Sequence, residues 1–380
     1  MSTHKALVLE SFSKPITLQT ITTPKPTIGS ALIRPLYAPL QSYSRIIFAG
    51  QFPSPLTLPF TPGSSCVARI ESVAPDATSL KPGDIVFVDP TISSRDDPDT
   101  QMLLALFAGG SDGSKKLMTD AWRNGCFSQK AIVPLENCYK LPERLFKSEE
   151  EGGQGYEYKH LAILTLILVA YGGLESAGVG AGTTVIVAPS TGKFSGGAVL
   201  VALAMGAKVV AASRNGDAME KLYGFPGAKE RLTTVKLVSD VEKDTAALMA
   251  ATGGKGAHVY IDFTPPAATG PSPPPHITAC INALRRNGQA VLMGGLPSDV
   301  SINYTQLLFK NITVRGKMMY EREQVQRFIR MLENGNLALG DRVGLNVAGV
   351  FGLEDVEKAL DVAEKGTGWG NDVLLAPNRE

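Results

Sequence analysis

The stretch Val185-Ile186-Val187-Ala188-Pro189-Ser190-Thr191-Gly192-Lys193-Phe194-Ser195-Gly196-Gly197 runs from a short apolar strand through a turn of small residues into the glycines that open a helix. A junction of this kind points backbone N–H groups and the positive end of a helix at one spot, which suits a pyrophosphate. Against G-x-G-x-x-G, or the A/G-x-x-G-x-x-G/A variant, only Gly192 stands where a glycine is expected, with Pro189 and Ser195 at the flanking positions. The loop by itself therefore also fits a turn in an α/β domain that binds nothing.

Working outward, apolar strands at Thr184–Ala188, Lys208–Ser213, Ala257–Phe263 and Gln289–Gly294 alternate with helical stretches at Gly197–Met205, Val241–Ala251 and His276–Leu284. Such alternation predicts a parallel, doubly wound sheet. The second of these strands ends in Ala212-Ser213-Arg214-Asn215. An NAD-specific domain offers an acid at that position to the ribose hydroxyls, whereas a cation suits the 2′-phosphate of NADP. Arg214 is that cation. The runs Glu151-Gly152-Gly153-Gln154-Gly155 and Pro271-Ser272-Pro273-Pro274-Pro275 read as surface loops, and Arg322–Asn334 reads as an amphipathic helix.

Upstream, from Lys5 to about Pro142, short β-branched runs such as Ala31-Leu32-Ile33-Arg34 and Asp84-Ile85-Val86-Phe87-Val88 are separated by Pro and Gly, the pattern of an all-β unit. Between Pro90 and Asn124 a polar excursion reads as a long loop with a helical segment. The whole chain has 380 residues, enough for two domains, with 44% hydrophobic and 19% charged residues and a formal net charge of +1. Nothing in that balance draws it to nucleic acid or an anionic membrane, so a small-molecule substrate is expected. The longest apolar run, Leu161 to Tyr171, is shorter than the ~20 residues of a membrane span and reads as a buried helix. Without a signal-peptide pattern at the N-terminus a cytoplasmic location is expected. Cys66, Cys126, Cys138 and Cys280 form no Cys-x-x-Cys pair and suggest reduced, packed thiols.

Taken together, Lys5-Ala6-Leu7-Val8-Leu9, Ala38-Pro39-Leu40-Gln41-Ser42-Tyr43, Pro59-Phe60-Thr61-Pro62-Gly63, Leu80-Lys81-Pro82-Gly83-Asp84, Gly125-Cys126-Phe127-Ser128-Gln129, Val179-Gly180-Ala181-Gly182-Thr183 and Val291-Leu292-Met293-Gly294-Gly295 occur in a telling order. In that order the chain resembles the medium-chain dehydrogenase/reductase superfamily, in particular its zinc-less quinone oxidoreductase-like branch and similar fungal alcohol dehydrogenase-like proteins. The resemblance implies an α/β fold with a GroES-like β-barrel domain over 1–155, a Rossmann domain over 156–318, and a return to the first domain over 319–380. It implies an active site in the interdomain cleft and an NADP(H)-dependent oxidoreductase acting on a carbonyl, quinone or activated alkene. The phosphates would rest on Ser190, Thr191, Gly192, Lys193 and Phe194, the 2′-phosphate on Ser213, Arg214 and Asn215, and the nicotinamide against Gly294 and Gly295. Lys317, after the last Rossmann strand, either borders the nicotinamide or is a surface lysine.

Zinc-dependent members carry a cysteine in the turn that holds Tyr43 here, and a Gly-His-Glu where this chain has Pro62-Gly63-Ser64-Ser65-Cys66. Catalytic zinc needs three His, Cys or acidic ligands around an open position. No bound metal is therefore expected. Tyr43 matches a tyrosine in zinc-less relatives and is the candidate proton donor, the alternative being an amphipathic tyrosine that closes the cleft. Arg45, Asp89, Arg95 and Asp97 are further candidates for substrate contact. Two other readings stay open: a cofactor-free isomerase or scaffold on the same fold, and a partner-dependent, trans-acting enoyl reductase served by a synthase. A homodimer is open as well.

Overall fold

The computed structural model describes residues 2–51, 56–266 and 273–378. The chain forms two compact units, one from 1–165 with 345–380 and one from 166–344.

In the first unit, β1 (Thr3–Val8) pairs antiparallel with β2 (Thr17–Thr22). A larger sheet is built on β3 (Ser30–Leu40), β4 (Cys66–Val73), β5 (Ile85–Val88), β8 (Ala131–Pro134) and β9 (Cys138–Lys140). Nearly every residue of β3 is buried, as expected of a strand with neighbours on both edges and packed faces. Pro35 in β3 cannot donate to a ladder, and the register with β4 shifts there. The polar excursion is more ordered than the loop expected from sequence. It contains a hairpin of β6 (Thr91–Ser93) and β7 (Gln101–Leu103), then a helix at Asp112–Leu117 whose Ser114 N–H donates to the Ser111 hydroxyl at 3.1 Å.

The second unit holds a six-stranded sheet of β10 (Thr184–Ala188), β11 (Lys208–Ser213), β12 (Leu232–Lys236), β13 (Ala257–Asp262), β14 (Leu284–Leu292) and β15 (Thr313–Gly316). All five pairings are parallel and the order is β12-β11-β10-β13-β14-β15. The chain works outward from β10 in one direction and from β13 in the other, so the order reverses between these two strands. Helices at Lys193–Ala204, Val241–Ala251 and Pro275–Asn282 make the crossovers. The Pro-rich loop expected over 271–275 lies partly outside the described residues.

The apolar run at 161–171 is helical, within Tyr158–Leu161 and Leu164–Ser176. The stretch Tyr158–Ser176 is long and apolar enough to cross a membrane by length and composition, and it is mostly buried. The amphipathic helix Arg322–Glu333 packs in the second unit, its Phe328 ring 5.4 Å from that of Tyr171. Because this apolar face is buried there, the chain returns to the first unit at Leu345 rather than at the expected 319. β16 (Val347–Phe351) and β17 (Asp372–Leu375) then complete the larger sheet, in the order β16-β17-β3-β4-β5-β9.

Candidate functional site

In an open parallel sheet, ligands bind outside the carboxyl ends of the strands where the order reverses. Here that crevice lies between β10 and β13, and the turn 189–192 leaves β10 directly into it. Gly192, at φ −80° and ψ 172°, is the N-cap of the helix Lys193–Ala204. Any residue can adopt that extended backbone. What the glycine provides is space, since an added Cβ would meet only the Ser195 hydroxyl, at 3.3 Å. Ser195 is buried and its hydroxyl accepts the Gly192 N–H at 3.0 Å, so one backbone donor of the turn is satisfied internally.

Ser190 is fully buried and its hydroxyl has no hydrogen-bond partner among the described residues. A buried hydroxyl without a partner costs about 1–3 kcal/mol, an expense that a ligand's acceptor would remove. Lys193 is largely buried and Phe194 half-buried at the start of the helix. The Thr191 and Ser213 hydroxyls lie 3.3 Å apart, joining the turn to the end of β11. Asn215 accepts the Ala218 N–H at 3.2 Å and so caps the short helix Gly216–Met219. Arg214, between them, is exposed and makes no ion pair among the described residues.

Across the switch, Gly294 and Gly295 follow β14 and are exposed. The Gly295 N–H donates to the Thr264 carbonyl at 2.9 Å, and a Cβ on Gly294 would lie 2.5 Å from both Asp262 Oδ2 and that carbonyl oxygen. Only glycine permits this approach. Behind it lies a buried polar group that sequence reasoning missed. Tyr260 and Thr264 both donate to Asp262 Oδ1, at 3.0 and 2.5 Å, and Thr264 Oγ1 lies 3.0 Å from His276 Nε2. The Lys317 N–H donates to the Leu292 carbonyl at 3.1 Å, while its ammonium pairs with Glu321 and is mostly buried.

Tyr43 belongs to the first unit, where it precedes the helix Ser44–Phe48 and packs on the apolar core. Burial pushes its phenol up to about 12, so at neutral pH it is protonated and able to donate. The other candidates for substrate contact are engaged within the fold. Arg45 bonds Glu357 at 3.1 Å and Asp361 at 2.6 Å, and Arg95 bonds Glu136 at 2.7 Å and the Gly29 carbonyl at 2.7 Å. Asp89 accepts the Thr91 N–H at 3.1 Å and Asp97 the Thr100 hydroxyl at 2.5 Å. Cys66, Cys126 and Cys138 are buried in one core. Burial pushes the Cys66 and Cys138 thiols up, away from the thiolate form a metal needs. Among the described residues no group of three or more His, Cys, Asp or Glu side chains is arranged to hold a metal ion.

Comparison with known proteins matches the two units to two family profiles. Residues 28–143 match the alcohol dehydrogenase GroES-like domain, and residues 196–334 match the zinc-binding dehydrogenase family. The chain belongs to the medium-chain dehydrogenase/reductase superfamily. This dehydrogenase/reductase is 27% identical over 297 residues to a zinc-type alcohol dehydrogenase-like protein of Schizosaccharomyces pombe, covering 76% of this chain and 75% of the relative. It is 24% identical to a quinone oxidoreductase of Pongo abelii, covering 83% of this chain and 80% of the other. Among solved structures, a protein of Sinorhizobium meliloti described as a zinc-binding dehydrogenase bound to NADP shares the fold. Its TM-score is 0.75 at 19% identity, over 99% of this chain and all of that one. The protein is thus an oxidoreductase of the medium-chain type, from a family of pyridine-nucleotide dehydrogenases.

Proposed function

We propose that this dehydrogenase/reductase is a zinc-independent, NADP(H)-dependent oxidoreductase of the cytoplasm that acts on a small carbonyl, quinone or activated alkene. The observation that carries the cofactor reading is Arg214. It stands exposed at the carboxyl end of β11, beside the turn 189–192, where the residues of Ala212-Ser213-Arg214-Asn215 include no acid. A guanidinium there favours a 2′-phosphate, and residues 212–215 include no carboxylate to take the ribose diol of NAD.

The residues fit the nucleotide. The unpartnered Ser190 hydroxyl and the N-terminus of Lys193–Ala204 offer donors to the pyrophosphate, Arg214 and Ser213 hold the 2′-phosphate, and the Gly294–Gly295 turn gives the nicotinamide ring a surface without side chains. Bound there, the nucleotide supplies the hydride. Tyr43, protonated at neutral pH, would place its phenol proton on the oxygen or carbon that gains charge. Lys317 holds the strand end through its N–H to Leu292 rather than offering a free cation.

The absence of a metal in our reading rests on the donors. Ser64 and Ser65 stand where zinc-dependent members have the ligand pair, and the nearby thiols are held protonated by burial. One observation favours a cofactor-free protein on this fold: the Gly192 N–H is already taken by Ser195. Calorimetric titration with NADPH and NADH, together with metal analysis of the purified protein, separates the readings. We expect micromolar NADPH binding, weaker NADH binding and no stoichiometric metal. One zinc per chain overturns the metal assignment, and no binding at millimolar nucleotide overturns the redox assignment in favour of an isomerase or scaffold. Homodimer formation and service to a synthase are questions for sedimentation and copurification.

A further inference from the structure

The buried polar group at the end of β13 has hydrogen-bonding capacity left over. Asp262 is 3% exposed and stands opposite Ala188 of β10 and Leu292 of β14, at the switch crevice. Both hydroxyl donors near it, Tyr260 and Thr264, use the same oxygen, Oδ1. Oδ2 receives no hydrogen bond among the described residues and faces the space that a side chain on residue 294 would fill.

The chain of bonds also fixes His276. The single proton of the Thr264 hydroxyl is given to Asp262, so toward His276 Nε2 that hydroxyl can only accept. Nε2 of the neutral ring therefore carries the proton and Nδ1 carries the lone pair. Nδ1 has no partner among the described residues, and the ring is 14% exposed. Two acceptors thus stand unfilled beside a turn where glycine keeps the space clear.

We propose that Asp262 Oδ2 and His276 Nδ1 accept hydrogen bonds from the nicotinamide half of the bound dinucleotide, from its ribose hydroxyls or its carboxamide N–H2. This rests on the dinucleotide reading above. Two acceptors select a ligand group that brings donors, and both groups of that half do so. The half follows from the strand order: Arg214 ends β11 and fixes the 2′-phosphate on one side of the switch, so the other end of the dinucleotide extends past β10 toward β13 and β14. Asp262 and His276 are the contact residues, whereas Tyr260 and Thr264 act through them as positioning residues.

The test compares the wild type with Asp262→Asn, His276→Ala and Thr264→Val, using three probes in equilibrium binding: NADPH, reduced nicotinamide mononucleotide and adenosine 2′,5′-bisphosphate. Asp262→Asn turns an acceptor partly into a donor. It should weaken the mononucleotide and NADPH about tenfold or more while leaving the adenosine probe within about twofold. His276→Ala and Thr264→Val should weaken the same two probes by roughly three- to tenfold. An NADPH analogue with acetyl in place of carboxamide tells the donors apart: the Asp262 effect persists if the ribose is the donor and vanishes if the carboxamide is. Unchanged mononucleotide binding in Asp262→Asn overturns the proposal, as does an equal loss for the adenosine probe, which marks a merely structural role. A wild type that binds no dinucleotide removes the parent reading instead, and this proposal with it.

Discussion

The two sides of the crevice use their hydrogen-bonding groups in opposite ways. On the β10 side most groups bond one another: Ser195 takes the Gly192 N–H, Thr191 meets Ser213, and Asn215 caps its own helix, which leaves Ser190 and Arg214 available. On the β13 side Tyr260 and Thr264 converge on one carboxylate oxygen, with His276 joined through Thr264, and the second oxygen and an imidazole nitrogen are left unfilled among the described residues. A site is better recognised by the capacity its residues leave unspent than by how closely its loop follows a glycine pattern. The first side presents donors and a cation for phosphate; the second presents acceptors.

The largest effect that tests this division is expected from Gly192→Val. Its backbone suits valine, so thermal stability should stay near that of the wild type, while the branched side chain at the phosphate turn should lower NADPH affinity at least about a hundredfold. Unaltered binding would mean that the β10 side does not face the phosphates. Next comes Arg214→Ala: a charge-assisted contact is worth about 1.5–3 kcal/mol, so NADPH should weaken roughly ten- to a hundredfold in a titration that leaves NADH nearly unchanged.

A matched pair of alanines then compares the two sides directly by chemical denaturation. Gly294→Ala forces a methyl against Asp262 and the Thr264 carbonyl and should cost about 1–3 kcal/mol of stability. Gly192→Ala, whose methyl meets only a hydroxyl at 3.3 Å, should cost a few tenths of that. Equal costs would show the close approach at Gly294 to be relieved by the chain. The smallest effect on binding is expected from Ser195→Ala. Loss of the cap should lower stability by about 1 kcal/mol, and release of the Gly192 N–H should tighten NADPH binding roughly two- to tenfold. Weaker binding would mean that Ser195 orients the turn for its ligand.

Much of the second unit was legible because its strands are continuous apolar runs. Thr184–Ala188, Lys208–Ser213 and the helix Val241–Ala251 lie where the sequence places them, the last capped by Asp240, which accepts the Lys243 N–H at 3.0 Å. β12 was missed because an edge strand such as Leu232-Thr233-Thr234-Val235-Lys236 needs few apolar residues. β14 begins earlier than expected because Arg285-Arg286-Asn287, with Asn287 at φ 61°, interrupts the pattern at its start. Within the candidate site, the turn at Ser190–Phe194 and Arg214 could be found because they follow a strand in a recognisable order. Asp262, Thr264 and His276 have no such spacing. They meet only because the strand end and the following helix bring them together, and Gly294, readable as a glycine, gave no hint of the carboxylate behind it.

The pairing of β17 with β3 sets the timetable of synthesis. Val373 stands opposite Leu40, and Leu374 opposite Pro39, so this edge of β3 cannot be covered until the whole second unit and the strand that follows it have left the ribosome. The second unit, contiguous over 166–344, emerges in full before then. At ordinary elongation rates the interval is on the order of tens of seconds, during which an open strand edge invites pairing with a neighbouring nascent chain.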